Sequence, residues 1–275
     1  MKFKLAAFAD EADSSLDGQI SAMKENGVDY LEIRGVDGEN ISDITADKAR
    51  DVRERLDAAG ISVWSLGSPF GKIDITEKFE PHLEKFKYGI ELARILGADH
   101  MRVFSFYVPQ DNAKCYSDEV MKRLEEMLAV SKNSGVILCH ENEKGIYGDN
   151  AERCAEIHKN LPGLRAVFDP ANFVQCGQET ISAWELLSPY VEYLHIKDAL
   201  ADGSVVSAGK GIGNIAYILK QYRGEILTVE PHLSVFNGFE KLERGKAAEL
   251  TYCYPDPLTA FGAAVDALKK IMEEL

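Results

Sequence analysis

Short apolar runs and helix-spaced apolar positions alternate along this chain from end to end. The runs are Phe3–Ala9, Val28–Ile33, Ile61–Leu66, Met101–Phe106, Val136–Cys139, Arg165–Phe168, Val191–Ile196 and Ile226–Val229. Runs this short, between turn-forming residues, read as strands buried on both faces. Between them, apolar residues recur at three- and four-residue spacing. Leu16, Ile20 and Met23 precede Gly27, and Val52 and Leu56 lie in Asp47–Ala59 before Gly60. Glu80–Leu96 ends at Gly97, and Ser117–Ser134 ends at Gly135. Further helices are expected over Asp149–Lys159, Ile181–Leu187, Asn214–Tyr222 and Asp256–Glu274. A glycine after the last periodic residue is a helix stop.

Strand–helix alternation implies parallel strands joined by right-handed crossovers. Eight such units in 275 residues fit an α/β fold, a single-domain (β/α)8 barrel over residues 1–275, better than an open doubly wound sheet. No Pro/Ser-rich linker divides the chain.

Composition narrows the function. The net charge of −14, with no basic cluster, argues against nucleic acid or an anionic membrane as partner. No apolar stretch approaches the length of a membrane span, and the N-terminus does not read as a signal peptide. The five cysteines form no CxxC, which fits reduced thiols in a cytoplasmic protein.

The chemistry gathers at the ends of the later runs. VILCHEN closes on Glu141, RAVFDPAN on Asp169, VEYLHIKD carries His195, and EILTVEPH closes on Glu230. In a (β/α)8 barrel the C-terminal ends of all strands face one mouth, where active sites sit. Three carboxylates and an imidazole there suit Mn²⁺, Mg²⁺ or Co²⁺, with Zn²⁺ an alternative. Without a cation, three such carboxylates are expected to repel and to have raised pKa values. Taken singly, each residue has a plainer role: a carboxylate at a strand end is commonly a helix cap, and Asp169 before Pro170 can start a turn.

Position supplies substrate-contact candidates. Lys197 lies two residues beyond His195, and His232 and Glu143 lie two beyond Glu230 and Glu141. Arg102 and Glu32 either line the mouth or pair with each other inside the barrel. Asn172 can bond a hydroxyl. Trp64 and Phe104 either face a sugar ring or pack the core. The glycines of GKGIGN, Gly209–Asn214, match neither G-x-G-x-x-G nor the Walker pattern, so the loop is expected to cap the next helix, with Asn214 as N-cap.

LEIR, MRVFS, HEN, FDPAN, LHIKDA, GKGIGN and VEPH together resemble the sugar phosphate isomerase/epimerase group of xylose isomerase-like barrels, which also holds endonuclease IV-type enzymes. The resemblance implies one divalent ion, commonly Mn²⁺, on Glu141, Asp169, His195 and Glu230. It implies proton transfer through a metal-stabilised enediolate, with Glu141 and Glu230 as the acid/base pair, on a sugar or polyol-derived ketone. Relatives often form homo-oligomers. Ketose 3-epimerases of the group carry a substrate-binding His where this chain has Asn172, and an Arg where it has Ala201. The alternatives are a lyase of the inosose- or dehydroshikimate-dehydratase type, and a non-catalytic carbohydrate-binding barrel. A repair endonuclease needs more histidines than the six present.

Overall fold

The computed structural model describes residues 3–234 and 254–275. Cys253 and most of the loop after the last strand lie outside them.

Eight strands close into a barrel: β1 (Lys4–Ala7), β2 (Tyr30–Ile33), β3 (Ser62–Leu66), β4 (His100–Val103), β5 (Ile137–Glu141), β6 (Arg165–Phe168), β7 (Val191–Ile196) and β8 (Ile226–Val229). Each pairs with its sequence neighbours in parallel, and β1 closes the ring against β8. The alternation in the sequence thus gives the topology expected of it.

The helices are α1 (Leu16–Glu25), α2 (Ala46–Ala59), α3 (Phe79–Leu96), α4 (Ser117–Ser131), α5 (Ala151–Asn160), α6 (Pro170–Gln175), α7 (Thr180–Leu187), α8 (Ile215–Gln221) and α9 (Pro257–Glu273). Side-chain caps begin six of them, on Ser15, Thr45, Asn150, Asp169, Glu179 and Asp256, each satisfying a backbone N–H that the helix leaves open. Gly60 ends α2 at φ 75°, a left-handed cap that favours glycine. Two local readings change. The chain after Asp169 forms helix α6, because Pro170 at its first turn and the Asp169 carboxylate on Asn172 N favour it. Asn214 stands at the N-cap of α8, but at φ 56° and without a capping bond. Its Nδ2 donates instead to Thr180 Oγ1 and the Ile212 carbonyl.

Two apolar layers hold the barrel. Val52, Leu56, Phe86, Leu124, Phe261 and Leu268 lie in the large cluster between helices and sheet. Inside, Ala6, Cys139, Val167, Tyr193 and Ile226 form a smaller plug, with Trp64 packed on it. Trp64 stacks on His100 at 4.1 Å between centroids, so it serves the core.

Register sets the height of the functional residues. Glu141 pairs with Val167, Phe168 with Leu194, and Val229 with Ile196. The C-terminal ends of β5 to β8 therefore lie level, above the apolar plug.

Candidate metal centre

Glu141 ends β5, Asp169 follows β6, His195 is the penultimate residue of β7, and Glu230 follows β8. One donor atom from each falls within 4.8 Å of all the others, and all four side chains are buried.

Each residue is held in place by a distinct partner. His195 Nδ1 lies 2.9 Å from Glu141 Oε1 and 3.7 Å from Glu230 Oε2. Its Nε2 lies 3.0 Å from Glu32 Oε2, and Glu32 Oε1 accepts from the Tyr193 hydroxyl at 2.8 Å. Asp169 Oδ1 caps α6 through Asn172 N at 3.0 Å, leaving Oδ2 beside Lys197 Nζ at 3.1 Å. The Asn142 side chain bonds both the N–H and the carbonyl of Asp169, joining the ends of β5 and β6.

Four cations surround the carboxylates. Arg102 Nη1 is 3.1 Å from Glu141 Oε2, and its Nη2 donates to the Gly67 carbonyl. Arg34 Nη1 is 3.4 Å from Glu230 Oε1, and the same guanidinium binds Asp10 and Glu11. Lys197 Nζ lies 3.0 Å from Glu230 Oε2, and His195 completes the set. The Phe8 ring lies 4.5 Å from the Arg34 guanidinium and 5.0 Å from that of Arg102, an apolar spacer between two like charges.

This pairing changes the electrostatics expected from three crowded carboxylates. Burial pushes the Glu141 carboxyl up, but His195 and Arg102 more than offset it and hold it at about 2. Burial acts on Glu230 the same way, and Lys197, His232, His195 and Arg34 hold it well below the usual range. Asp169 alone of the three is raised, to about 7, chiefly by burial. Burial lowers His195, yet Glu141 and Glu32 outweigh it and raise the imidazole to about 10. The mouth carries its own counter-ions, which is why mutual repulsion does not dominate.

The remaining sequence candidates fall in different places. Glu32 and Arg102 do not pair with each other; Glu32 lies under His195, and Arg102 lies beside Glu141. Asn172 spends its amide on Glu141 Oε1 at 3.3 Å and the Asn142 carbonyl at 2.9 Å. Lys197 is 6% exposed, so it is an interior residue and not part of a surface pair. His232 donates its backbone N–H to Glu11 at 2.6 Å, with its ring 3.8 Å from Glu230. Glu143 is on the rim, 2.8 Å from Lys72 Nζ, and that ammonium lies 4.4 Å from the Phe104 ring.

Arg34, Glu11, Phe8 and Lys72 also border the site and are not among the sequence candidates. Arg34 carried a usable signal: it lies two residues beyond Glu32, the spacing that pointed to Lys197. Phe8 lies in the first apolar run, where it reads as core, and Glu11 and Lys72 sit in a short turn and a loop, where no periodicity applies. Glu11, Glu230 and His232 form a second acidic group, but the Arg34 guanidinium already stands against both glutamates and supplies the positive charge there.

GKGIGN has a different role from either reading. The N–H groups of Gly209, Gly211 and Gly213 donate to the Asp198 carboxylate at 3.0, 2.9 and 2.8 Å. An internal carboxylate therefore takes the donors that a phosphate would need. A Cβ on Gly211 would lie 2.3 Å from the Ala199 carbonyl oxygen, so the wrap requires glycine.

The four-residue set fits a divalent cation. It combines hard oxygens with one nitrogen, Glu32 fixes Nδ1 as the donor atom of His195, and buried Asp169 Oδ2 accepts no hydrogen bond among the described residues. Bound there, the ion would be held by Glu141, Asp169, His195 and Glu230.

No curated protein matches the chain. Among solved structures, the probable 3-DHS dehydratase AsbF of Bacillus anthracis has a TM-score of 0.74 at 15% identity, covering 98% of this chain and 99% of its own. The IolI protein with a bound zinc atom has a TM-score of 0.74 at 16% identity, covering 98% of each chain. D-psicose 3-epimerase of Clostridium cellulolyticum H10, solved with D-tagatose, has 0.71 at 14% identity, covering 98% of each chain. Likeness at these identities establishes the fold. A family model described as xylose isomerase-like TIM barrel matches residues 20–249. The chain belongs to the xylose isomerase-like TIM barrel family.

Proposed function

We propose that this protein is a divalent-metal-dependent isomerase or epimerase of a sugar or polyol-derived ketone, with Mn²⁺ the first candidate ion. The observation that carries the reading is the placement of two glutamates in one buried ring. Glu141 from β5 and Glu230 from β8 flank the His195 imidazole at 2.9 and 3.7 Å, and each is kept ionised by its own cations. An ionised carboxylate beside a carbon acid is a competent general base.

The bound ion would supply Lewis-acid polarisation of the substrate ketone. One of Glu141 and Glu230, ionised, would take the proton from the adjacent carbon, and the other, after taking a proton from water, would return one to it, with an enediolate between the two transfers. Arg102 and Arg34 orient these carboxylates from behind. Lys197, whose ammonium lies on the inner side of Glu230, and Asn172 are the first substrate-contact candidates, followed by His232 and Glu143 at the rim. Small carbohydrates or polyols are the partners, and a homo-oligomer is expected. Among the described residues no helix is long and apolar enough to cross a membrane, and a cytoplasmic location fits the free cysteines.

A second reading keeps the ion and the bases but expels water from the enediolate. It is favoured by Asn172, whose amide is bonded to Glu141 and Asn142, and by Ala201, which stand where ketose 3-epimerases carry a His and an Arg. One experiment separates the two. The Mn²⁺-loaded protein is screened in D₂O against ketoses, inososes and keto acids by NMR. Deuterium in an intact isomer supports the isomerase, and loss of water supports the lyase. Mn²⁺ and sugar binding without turnover of any member would replace both with a carbohydrate-binding barrel.

A further inference from the structure

The cations around the quartet are sorted by which carboxylate oxygen they hold. The oxygens of the two glutamates nearest the His195 imidazole are Glu141 Oε1 and Glu230 Oε2, at 2.9 and 3.7 Å from Nδ1. Arg102 and Arg34 avoid them. They hold the other oxygens, Glu141 Oε2 at 3.1 Å and Glu230 Oε1 at 3.4 Å. Lys197 does the opposite. Its Nζ lies 3.0 Å from Glu230 Oε2 and 3.1 Å from Asp169 Oδ2. Asp169 Oδ2 is the oxygen left over after Oδ1 has capped α6.

A divalent ion on this quartet needs those same inner oxygens at about 2.0–2.2 Å. An ammonium hydrogen-bonded to Glu230 Oε2 and ion-paired with Asp169 Oδ2 would then stand within a few ångströms of a dication. In a buried site, like charges at such separations repel strongly. The arginines, on the outer oxygens, can stay in place and continue to orient the carboxylates.

We propose that Lys197 is a built-in competitor of the metal, an internal cation that shares two of the ion's donor oxygens and lowers the site's affinity for it. The role rests on the metal reading above. It gives the chain a way to keep three carboxylates and an imidazole assembled, and to bind its ion exchangeably. It also ties metal loading to the position of the ammonium, because an ion on Asp169 and Glu230 weakens both contacts of Lys197 at once.

The test is Mn²⁺ binding to the full-length protein, measured by calorimetry and by the loss of the free-ion EPR signal after chelator treatment. Lys197→Met removes the charge. Lys197→Gln removes it but keeps a hydrogen-bond donor, and covers the case in which the methionine variant does not fold. Lys72→Met, which removes a rim ammonium from Glu143, is the control. The expected result is Mn²⁺ affinity at least about tenfold tighter in both Lys197 variants, and within about twofold of wild type in the control. Equal or weaker affinity in the folded Lys197 variants overturns the proposal and leaves the metal site standing. Failure of the wild type to bind Mn²⁺ or Zn²⁺ removes the metal reading, and this proposal with it.

Discussion

His195 Nε2 lies 3.0 Å from Glu32 Oε2, with both side chains fully buried, so the imidazole is gripped from below while Nδ1 faces the donor ring. A carboxylate on the far nitrogen fixes the ring's orientation and raises its basicity as a ligand. Glu32→Gln keeps the shape and removes the charge. It should weaken Mn²⁺ binding by about 10- to 100-fold, read by titration of the folded variant. Unchanged affinity would mean that His195 does not bind the ion through Nδ1.

Glu141→Gln and Glu230→Gln address the acid/base pair. Each should lower turnover of whichever substrate the screen identifies by about 10²–10⁴-fold, with the barrel intact by circular dichroism. Exchange of the substrate's α-hydrogen with D₂O, followed by NMR, reports on each glutamate separately. A variant that still exchanges at the wild-type rate would remove that glutamate from the mechanism.

Arg34 is 4% exposed and holds Asp10, Glu11 and Glu230 together. Arg34→Met strands three acidic side chains in or at the edge of the interior. Breaking a buried ion pair from one side typically costs about 3–5 kcal/mol, and denaturant unfolding should show a loss of that order. The Glu11 carboxyl, which burial already pushes up to about 8, should rise further and hold its proton to higher pH.

Stability should fall in mild acid through half-buried His82 and buried His158. His82 accepts a hydrogen bond from Gly71 N at 2.9 Å, which only an unprotonated nitrogen can do, and burial lowers it to about 4. His158, also lowered to about 4 by burial, stacks on Tyr190. A folded-state pKa below the unfolded value of 6.5 favours the native state above that pH. The contribution is lost as pH falls from about 6.5 to about 4. Urea midpoints measured across that window should drop, and His82→Gln should flatten part of the slope.

The Asp198 carboxylate accepts from Gly209, Gly211, Gly213 and Ala199. Asp198→Ala leaves these donors unmatched next to the end of β7; those of Gly213 and Ala199 are buried, and each buried orphan costs about 1–3 kcal/mol. A loss of roughly 3 kcal/mol or more, with faster amide exchange confined to residues 209–213, is the expected signature. Inorganic phosphate restoring that protection would indicate that the loop can also accept an external anion.

The sequence by itself determined the barrel and pointed to the four candidate donors. Strand identity is written locally, in short apolar runs ended by polar residues. A barrel sends every such end to one mouth, so Glu141, Asp169, His195 and Glu230 could be assembled without coordinates. Trp64, Glu32 and Arg102 mark where that reasoning stopped, because an inward-facing position does not say which layer or which partner a side chain meets. Arg34 and Glu230 are 196 residues apart, and Lys197 chooses one oxygen of a carboxylate over the other. Such choices depend on register, on the level at which each strand ends, and on distances of a few ångströms across the closed ring. Only the tertiary structure decided them, because the strength of an ion pair depends on separation and burial in space, which spacing along the chain does not encode.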